Sequence, residues 1–200
     1  MANVFLYSDP HFGHEGVCRF MRLDGITKLR PFDTAEEMDE VLVDNWNNTV
    51  TSKDKTYILG DVAINKKALK ILHRLNGDKV LIKGNHDIYK LSDYTPYFRD
   101  IRAYHVLSGM ILSHIPIHPD SLGRFGCQIH GHLHEKRVRM ARGFDHKTGN
   151  ILYSDEIDPR YYNVSVEQID YTPISLETVK RNIVDQGGTI EMRNGNGPVM

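Results

Sequence analysis

The chain has 200 residues and only two cysteines, Cys18 and Cys127, far apart and outside any Cys-x-x-Cys spacing. That argues against a disulfide framework and for a reducing compartment with two ordinary thiols. No apolar run approaches the roughly 20 residues of a membrane span. The first residues, Met-Ala-Asn-Val-Phe-Leu-Tyr, carry neither a basic segment nor a signal-type apolar core. A soluble, cytoplasmic protein with no membrane partner is expected. Formal net charge is −1, so total charge demands no polyanionic partner. Internal repeats and low-complexity tracts are missing too. One globular domain is left, large enough to bury roughly 70% of its unfolded surface without a disulfide or metal to hold it. Residues 1–192 are expected to form it, with 193–200 as a frayed tail.

Histidine, by contrast, is plentiful: eleven residues, set in clusters beside Asp and Asn. The clusters are Asp9-Pro10-His11, Gly60-Asp61, Gly84-Asn85-His86-Asp87, Ser113-His114 and Gly131-His132-Leu133-His134. Each follows an apolar run that reads as a buried strand: 3–8, 56–59, 79–83, 110–113 and 126–130. Asp33 and Thr34 ahead of Glu36 and Glu37 form a capping pattern for a helix on Met38, Val41, Leu42 and Trp46. Asn65 is expected to cap a second helix with Ala68, Leu69, Leu72 and Leu75 on one face. A last helix spans 175–184, and 104–113 reads as a hairpin. Strand and helix alternate in the first half and hairpins dominate the second, which fits a mixed sheet or two packed sheets with helices outside. In open α/β sheets the working site lies beyond the carboxyl ends of the strands, where all five clusters fall.

The chemistry of these donors is specific. Two divalent ions roughly 3.5–4 Å apart can acidify a water and offset phosphoryl charge. Such a pair needs a carboxylate that reaches both ions, amid mixed nitrogen and oxygen donors. Imidazole together with carboxylate suits manganese, iron, zinc or cobalt. Asp9, His11, Asp61, Asn85, His114, His132 and His134 supply such a set. In Asp-x-His and His-x-His, alternate residues leave an extended chain on the same side. Gly60, Gly84 and Gly131 each precede a donor, where the missing Cβ permits a tight turn or a close approach.

The ordered series Asp-x-His, Gly-Asp, Gly-Asn-His-Asp, His and Gly-His-x-His resembles the calcineurin-like metallophosphoesterases, in their compact single-domain form from bacteria and phages. It runs from residue 9 to residue 134. The resemblance implies an α/β fold, a four-layer α/β/β/α sandwich of two mixed sheets flanked by helices. It implies two divalent cations, manganese first, with iron, zinc, cobalt or nickel as alternatives. Asp9, His11 and His134 would hold the first ion; Asn85, His114 and His132 would hold the second; Asp61 would bridge them. His86 would assist the leaving group of a phosphoesterase, a diesterase ahead of a monoesterase. A nuclease on the same site and a non-catalytic metal-binding module stay open as alternatives. The expected substrate is a small phosphate ester or nucleotide, ahead of nucleic acid.

Other residues invite weaker readings. His14 either touches substrate or caps a turn, and His118 lies between loop wall and function. His73 and His105 read as structural. Asp87 either orients His86 or caps a helix. Arg124, between two donor blocks, is the arginine chosen for a substrate phosphate, since guanidinium offers a bidentate match. The basic run Lys136, Arg137, Arg139 and Arg142 reads as a solvated hairpin face ahead of a phosphate rail.

Overall fold

The structure is a computed structural model that describes residues 2–191. The expected tail, 193–200, lies outside the described residues. Three short runs, β1 (Val4–Tyr7), β2 (Lys55–Ile58) and β3 (Asp78–Ile82), lie side by side and parallel. Their last three residues are all buried, as strands covered on both faces require. β4 (Asp100–Arg102) continues the parallel order beyond β3, and β11 (Ile174–Ser175) closes the other edge antiparallel to β1. A second sheet runs β10 (Tyr161–Asn163), β7 (Gln128–His130), β6 (Met110–Leu112), β5 (His105–Leu107). Its β5–β6 pair is an antiparallel hairpin, while β6, β7 and β10 run parallel. The fold is therefore an α/β sandwich with two mixed sheets and flanking helices.

One hydrophobic cluster joins both sheets and the helices. Leu6, Ile58 and Leu81 enter it from the first sheet, Met110, Leu112 and Ile129 from the second. Ile111 points to the opposite face, into a small cluster with Leu122 and Tyr161, as the alternation of a strand dictates. Helix α1 (Ala35–Thr49) contributes Met38, Leu42 and Trp46, and Trp46 meets Tyr7 edge-on at 5.2 Å. Its start is set as the sequence suggests: Thr34 accepts the Glu37 N–H (3.1 Å), and Glu37 reaches back to the Asp33 N–H (2.9 Å). A four-residue helix α2 (Leu91–Tyr94) follows β3, and helix α3 (Leu176–Asp185) adds Leu176, Val179 and Ile183 to the cluster.

The helix expected after Asn65 takes a different form. Asn65 accepts the Ala68 N–H at 2.9 Å, but the N-cap position falls to Lys67 and Ala68–Arg74 winds as a 3₁₀ helix. Leu69, Leu72 and Leu75, all buried, recur every three residues, a spacing a 3₁₀ helix stacks on one face. β8 (Arg139–Asp145) and β9 (Asn150–Ile157) form a two-stranded hairpin apart from both sheets. Arg139 and Arg142 lie on it, exposed, and Arg139 faces Asp155 at 3.3 Å. Among the described residues no helix is long and apolar enough to cross a membrane.

Candidate metal centre

The carboxyl ends of β1, β2, β3, β6 and β7 deliver Asp9, Asp61, Asn85, His114 and His132 to one edge. A parallel bridge between Ser8 and Ser165 ties the two sheets together beside it. Donor atoms converge there in two groups, Asp9–His11–His134 and Asp61–His114–His132, each within 4.8 Å. Each group draws on both sheets. Asp61, a member of the second group, also reaches the first: its Oδ2 is 3.3 Å from His114 Nε2 and 3.7 Å from His11 Nε2. Donors about 2.1 Å from a shared cation stand roughly 3.4 Å apart in tetrahedral geometry, so these spacings are those of ligands around an ion. The donors are also left unsatisfied by protein: Asp9 Oδ1 and both ring nitrogens of the buried His11 have no hydrogen-bond partner. Buried polar atoms are normally paired, and a cation would supply the missing partner.

A supporting shell aims these side chains. His114 Nδ1 donates to the Leu59 carbonyl (2.6 Å), which leaves Nε2 for Asp61 and for Asn85 Oδ1 at 2.9 Å. His134 Nδ1 donates to Glu167 (2.9 Å), freeing its other nitrogen in the same way. Glu167 in turn takes the Nε–H of Arg30 at 2.7 Å, with both side chains wholly buried. The rest of the Arg30 fork donates to the carbonyls of Asp9 and Pro10, 2.7 and 2.8 Å away. Asp9 Oδ2 accepts from Ser165 Oγ and from the His132 N–H. Asp87 neither orients the His86 ring nor caps a helix. It is buried and accepts the N–H groups of Asp61, Val62 and Gly84, pinning the β2 and β3 loops together.

The backbone is held in unusual conformations to do this. Asp9, His11, Asp61, His132 and His134 all have positive φ, between 51° and 68°. Such residues cost of order 1 kcal/mol or more and persist where surrounding contacts enforce them. Gly131 lets the loops of the two sheets meet, since a Cβ there would overlap the side chains of Ser8 and Asp9.

Electrostatics match the donor set. Burial and the Arg30 charge hold His11 well below the usual imidazole range, so it is neutral and ready to ligate. Burial opposes charge on His114 as well, but its bond to Asp61 and the fields of Asp9 and Asp61 prevail and push it up to about 9. Burial would raise Asp61 too, yet its bond to His114 outweighs this and keeps it ionised.

The remaining expected residues divide. His86 is exposed, donates its backbone N–H to Asp61 Oδ1 (2.8 Å) and places its ring 5.5 Å from that of His11. His14 flanks His11 on another side, also at 5.5 Å. Arg124 is not brought to the site. It precedes Gly126, whose N–H bonds to Gly109 O at the start of β6, so it lies at the opposite, amino-terminal edge of the second sheet. His118 caps a short 3₁₀ turn (Pro119–Leu122), its Nδ1 accepting the Asp120 N–H. His73 packs on Tyr97 and His105 on Tyr57, as structural residues do. Sequence reading missed Arg30, Glu167 and Ser165, which stand far from the motifs in the chain. Two hollows flank the centre, one of about 500 Å³ beside Asn85 and His114, the other of about 430 Å³ beside His132 and His134.

No family model matches the chain. The uncharacterized protein MJ1445 of Methanocaldococcus jannaschii is 33% identical to it over 202 residues, covering 97% of this chain and 98% of that one. The Gene 66 protein of Mycobacterium phage L5 is 34% identical over 93 residues, 44% of this chain and 41% of the phage protein. Among solved structures, the protein of unknown function AQ665 from Aquifex aeolicus superposes with a TM-score of 0.64 at 26% identity, over 91% of this chain and all of that one. A novel archaeal phosphodiesterase reaches a TM-score of 0.41 at 16% identity over 80% of this chain and 82% of that one, too loose a match to carry weight. Near-complete mutual coverage at that identity places the chain in the family of MJ1445.

Proposed function

We propose that the protein is a dinuclear, metal-dependent phosphoesterase of the calcineurin-like kind, acting on diesters ahead of monoesters. The observation that carries this is that Asp61, a member of one three-donor group, also stands 3.7 Å from His11 of the other. When bound, two such ions acidify water and offset the charge that grows on phosphoryl oxygens. Asp9, His11 and His134 would hold one; His114, His132 and Asn85 the other; Asp61 is shared. The mixed imidazole and carboxylate set suits manganese, and also iron, zinc, cobalt or nickel. His86, exposed next to His11 and outside both groups, would assist departure of the ester oxygen. His14, 5.5 Å from His11 ring to ring, would orient substrate from that flank. With a hollow on each flank, the centre leaves room for substituents on both sides of a phosphate, which favours a diester. The two buried, unpaired thiols fit a cytoplasmic setting.

Manganese-supplemented hydrolysis of bis-p-nitrophenyl phosphate against p-nitrophenyl phosphate tests the assignment, with the diester cleaved faster. Asp61→Asn should abolish both activities, whereas His86→Ala should keep the bound manganese and lose most rate on esters with poor leaving groups. Asp61→Asn activity near wild type would sink the dinuclear scheme. Manganese binding without hydrolysis of either ester would point instead to a non-catalytic module.

A further inference from the structure

The hairpin that follows the first donor loop is built in a way the metal centre does not require. Met21 bridges Lys28, the Phe20 carbonyl accepts the Leu29 N–H at 2.7 Å, and Arg22 N–H bonds to Thr27 O at 2.7 Å. Glu135, the residue after the donor His134, clasps it to the site: its carboxylate accepts the Leu23 N–H at 2.6 Å and faces Arg22 at 3.8 Å. Yet this fixed hairpin presents large apolar side chains to solvent, with Phe20 51% and Leu23 70% exposed. The Phe20 ring stands edge-on to His14, 5.9 Å away, so the aromatic surface begins where the donor cluster ends.

Phe20, Met21, Leu23, Leu29 and Leu133 line the hollow of about 430 Å³ that opens on His132 and His134, with Arg22, Glu135 and the exposed Lys136 as its charged members. Its volume falls within the roughly 300–1,000 Å³ of small-molecule sites. The opposite hollow, beside Asn85 and His114, is lined by Leu91, Ile101 and Ile115 together with Lys83 and Arg102, and by no Phe, Tyr or Trp. The two flanks therefore select different substituents. A half-exposed phenyl ring with a cation beside it suits a flat π-system bearing polar edges, whereas the other flank offers branched aliphatic side chains and two cations but no phenyl, phenol or indole face.

We infer that the hollow on the His132–His134 flank is the subsite for one ester arm of the substrate, an aromatic group of nucleobase class that stacks on Phe20. The inference rests on the phosphoesterase reading for its orientation, with the phosphate on the donor groups and the arm extending over Phe20. It makes the substrate a nucleotidyl diester.

Two measurements test it, only one of which needs turnover. Thymidine 5′-(p-nitrophenyl phosphate) and methyl p-nitrophenyl phosphate release the same leaving group and differ only in the other arm. With manganese, the wild-type protein should prefer the thymidine ester by about tenfold in kcat/KM, the scale of one stacked base. Phe20→Ala should bring that ratio near one, and Phe20→Tyr should preserve it. Separately, calorimetry on the manganese-loaded protein should find AMP bound several-fold more tightly than inorganic phosphate, with the difference erased by Phe20→Ala. Equal binding of AMP and phosphate by the wild type, or a difference that survives Phe20→Ala, overturns the subsite. Phe20-dependent AMP binding without hydrolysis of either ester overturns the phosphoesterase reading and leaves the subsite standing.

Discussion

Replacing Glu167 by Gln tests the buried support of the centre in two currencies at once. The change keeps the shape of the side chain and removes its charge. Glu167 and Arg30 are both wholly buried and 2.7 Å apart, so the guanidinium would lose its counter-ion where water cannot replace it. Breaking such a pair costs roughly 3–5 kcal/mol. At about 2–4 °C per kcal/mol for a chain of this size, the unfolding midpoint of the metal-free protein should fall by on the order of 10 °C. An exposed pair of similar geometry provides the contrast. Lys180 and Glu177 are 2.8 Å apart on α3 with Glu177 80% exposed, and Glu177→Gln should leave the midpoint nearly unchanged. The second currency is cation affinity. His134 donates Nδ1–H to Glu167, and losing a partner that fixes a ligand's tautomer typically costs 10–100-fold in metal affinity. Thermal unfolding by circular dichroism, followed by calorimetric titration with manganese, measures both. If Glu167→Gln melts within 2 °C (about 1 kcal/mol) of wild type and binds manganese as tightly, Glu167 is neither the counter-ion nor the orienting group.

Further outcomes follow from the same geometry. Gly131→Ala should weaken manganese binding by about tenfold or more, because the added methyl overlaps Ser8 and the ligand Asp9; Gly143→Ala, where a Cβ meets only open space, is the matched control. Asp39 is buried on α1 and accepts the Gly13 N–H with both oxygens. Burial lifts its carboxyl to about 6 against that bond. A raised acid favours the fold in its protonated form, so its contribution is greatest below pH 3.8 and declines as pH rises through 6. Asp39→Asn should therefore flatten the stability curve of the metal-free protein across that window, as read from urea midpoints; an unchanged slope would rule out Asp39 as its source.

The convergence of these donors was largely legible in the sequence because they lie at strand ends, where local pattern and global position coincide. Asp9, Asp61, Asn85, His114 and His132 each follow a short apolar run, and parallel runs finish at the same edge. Glu167 and Arg30 were invisible for the converse reason. They are 137 residues apart and meet only after both sheets have docked, and no local periodicity marks either. Arg124 was misplaced by reading along the chain instead of across the sheet. β6 and β7 are parallel, so the segment after His114 must carry the chain back to the far edge before β7 begins. Arg124 sits at the end of that return. The 3₁₀ segment Ala68–Arg74 shows a finer limit, since a run of leucines three apart fits either helix.

Each donor group takes members from both sheets: Asp9 and His11 with His134 in one, Asp61 with His114 and His132 in the other. Ions held there would act as rivets through the seam of the sandwich. Their removal would leave each sheet's own ladder intact while releasing the joint between the two sheets. Hydrogen exchange should then speed first along the Ser8–Ser165 bridge that crosses this joint, ahead of the strand interiors. Occupancy of the centre would in that way set how tightly the two halves of the molecule are clamped, and a chain with only one sheet formed could hold neither ion.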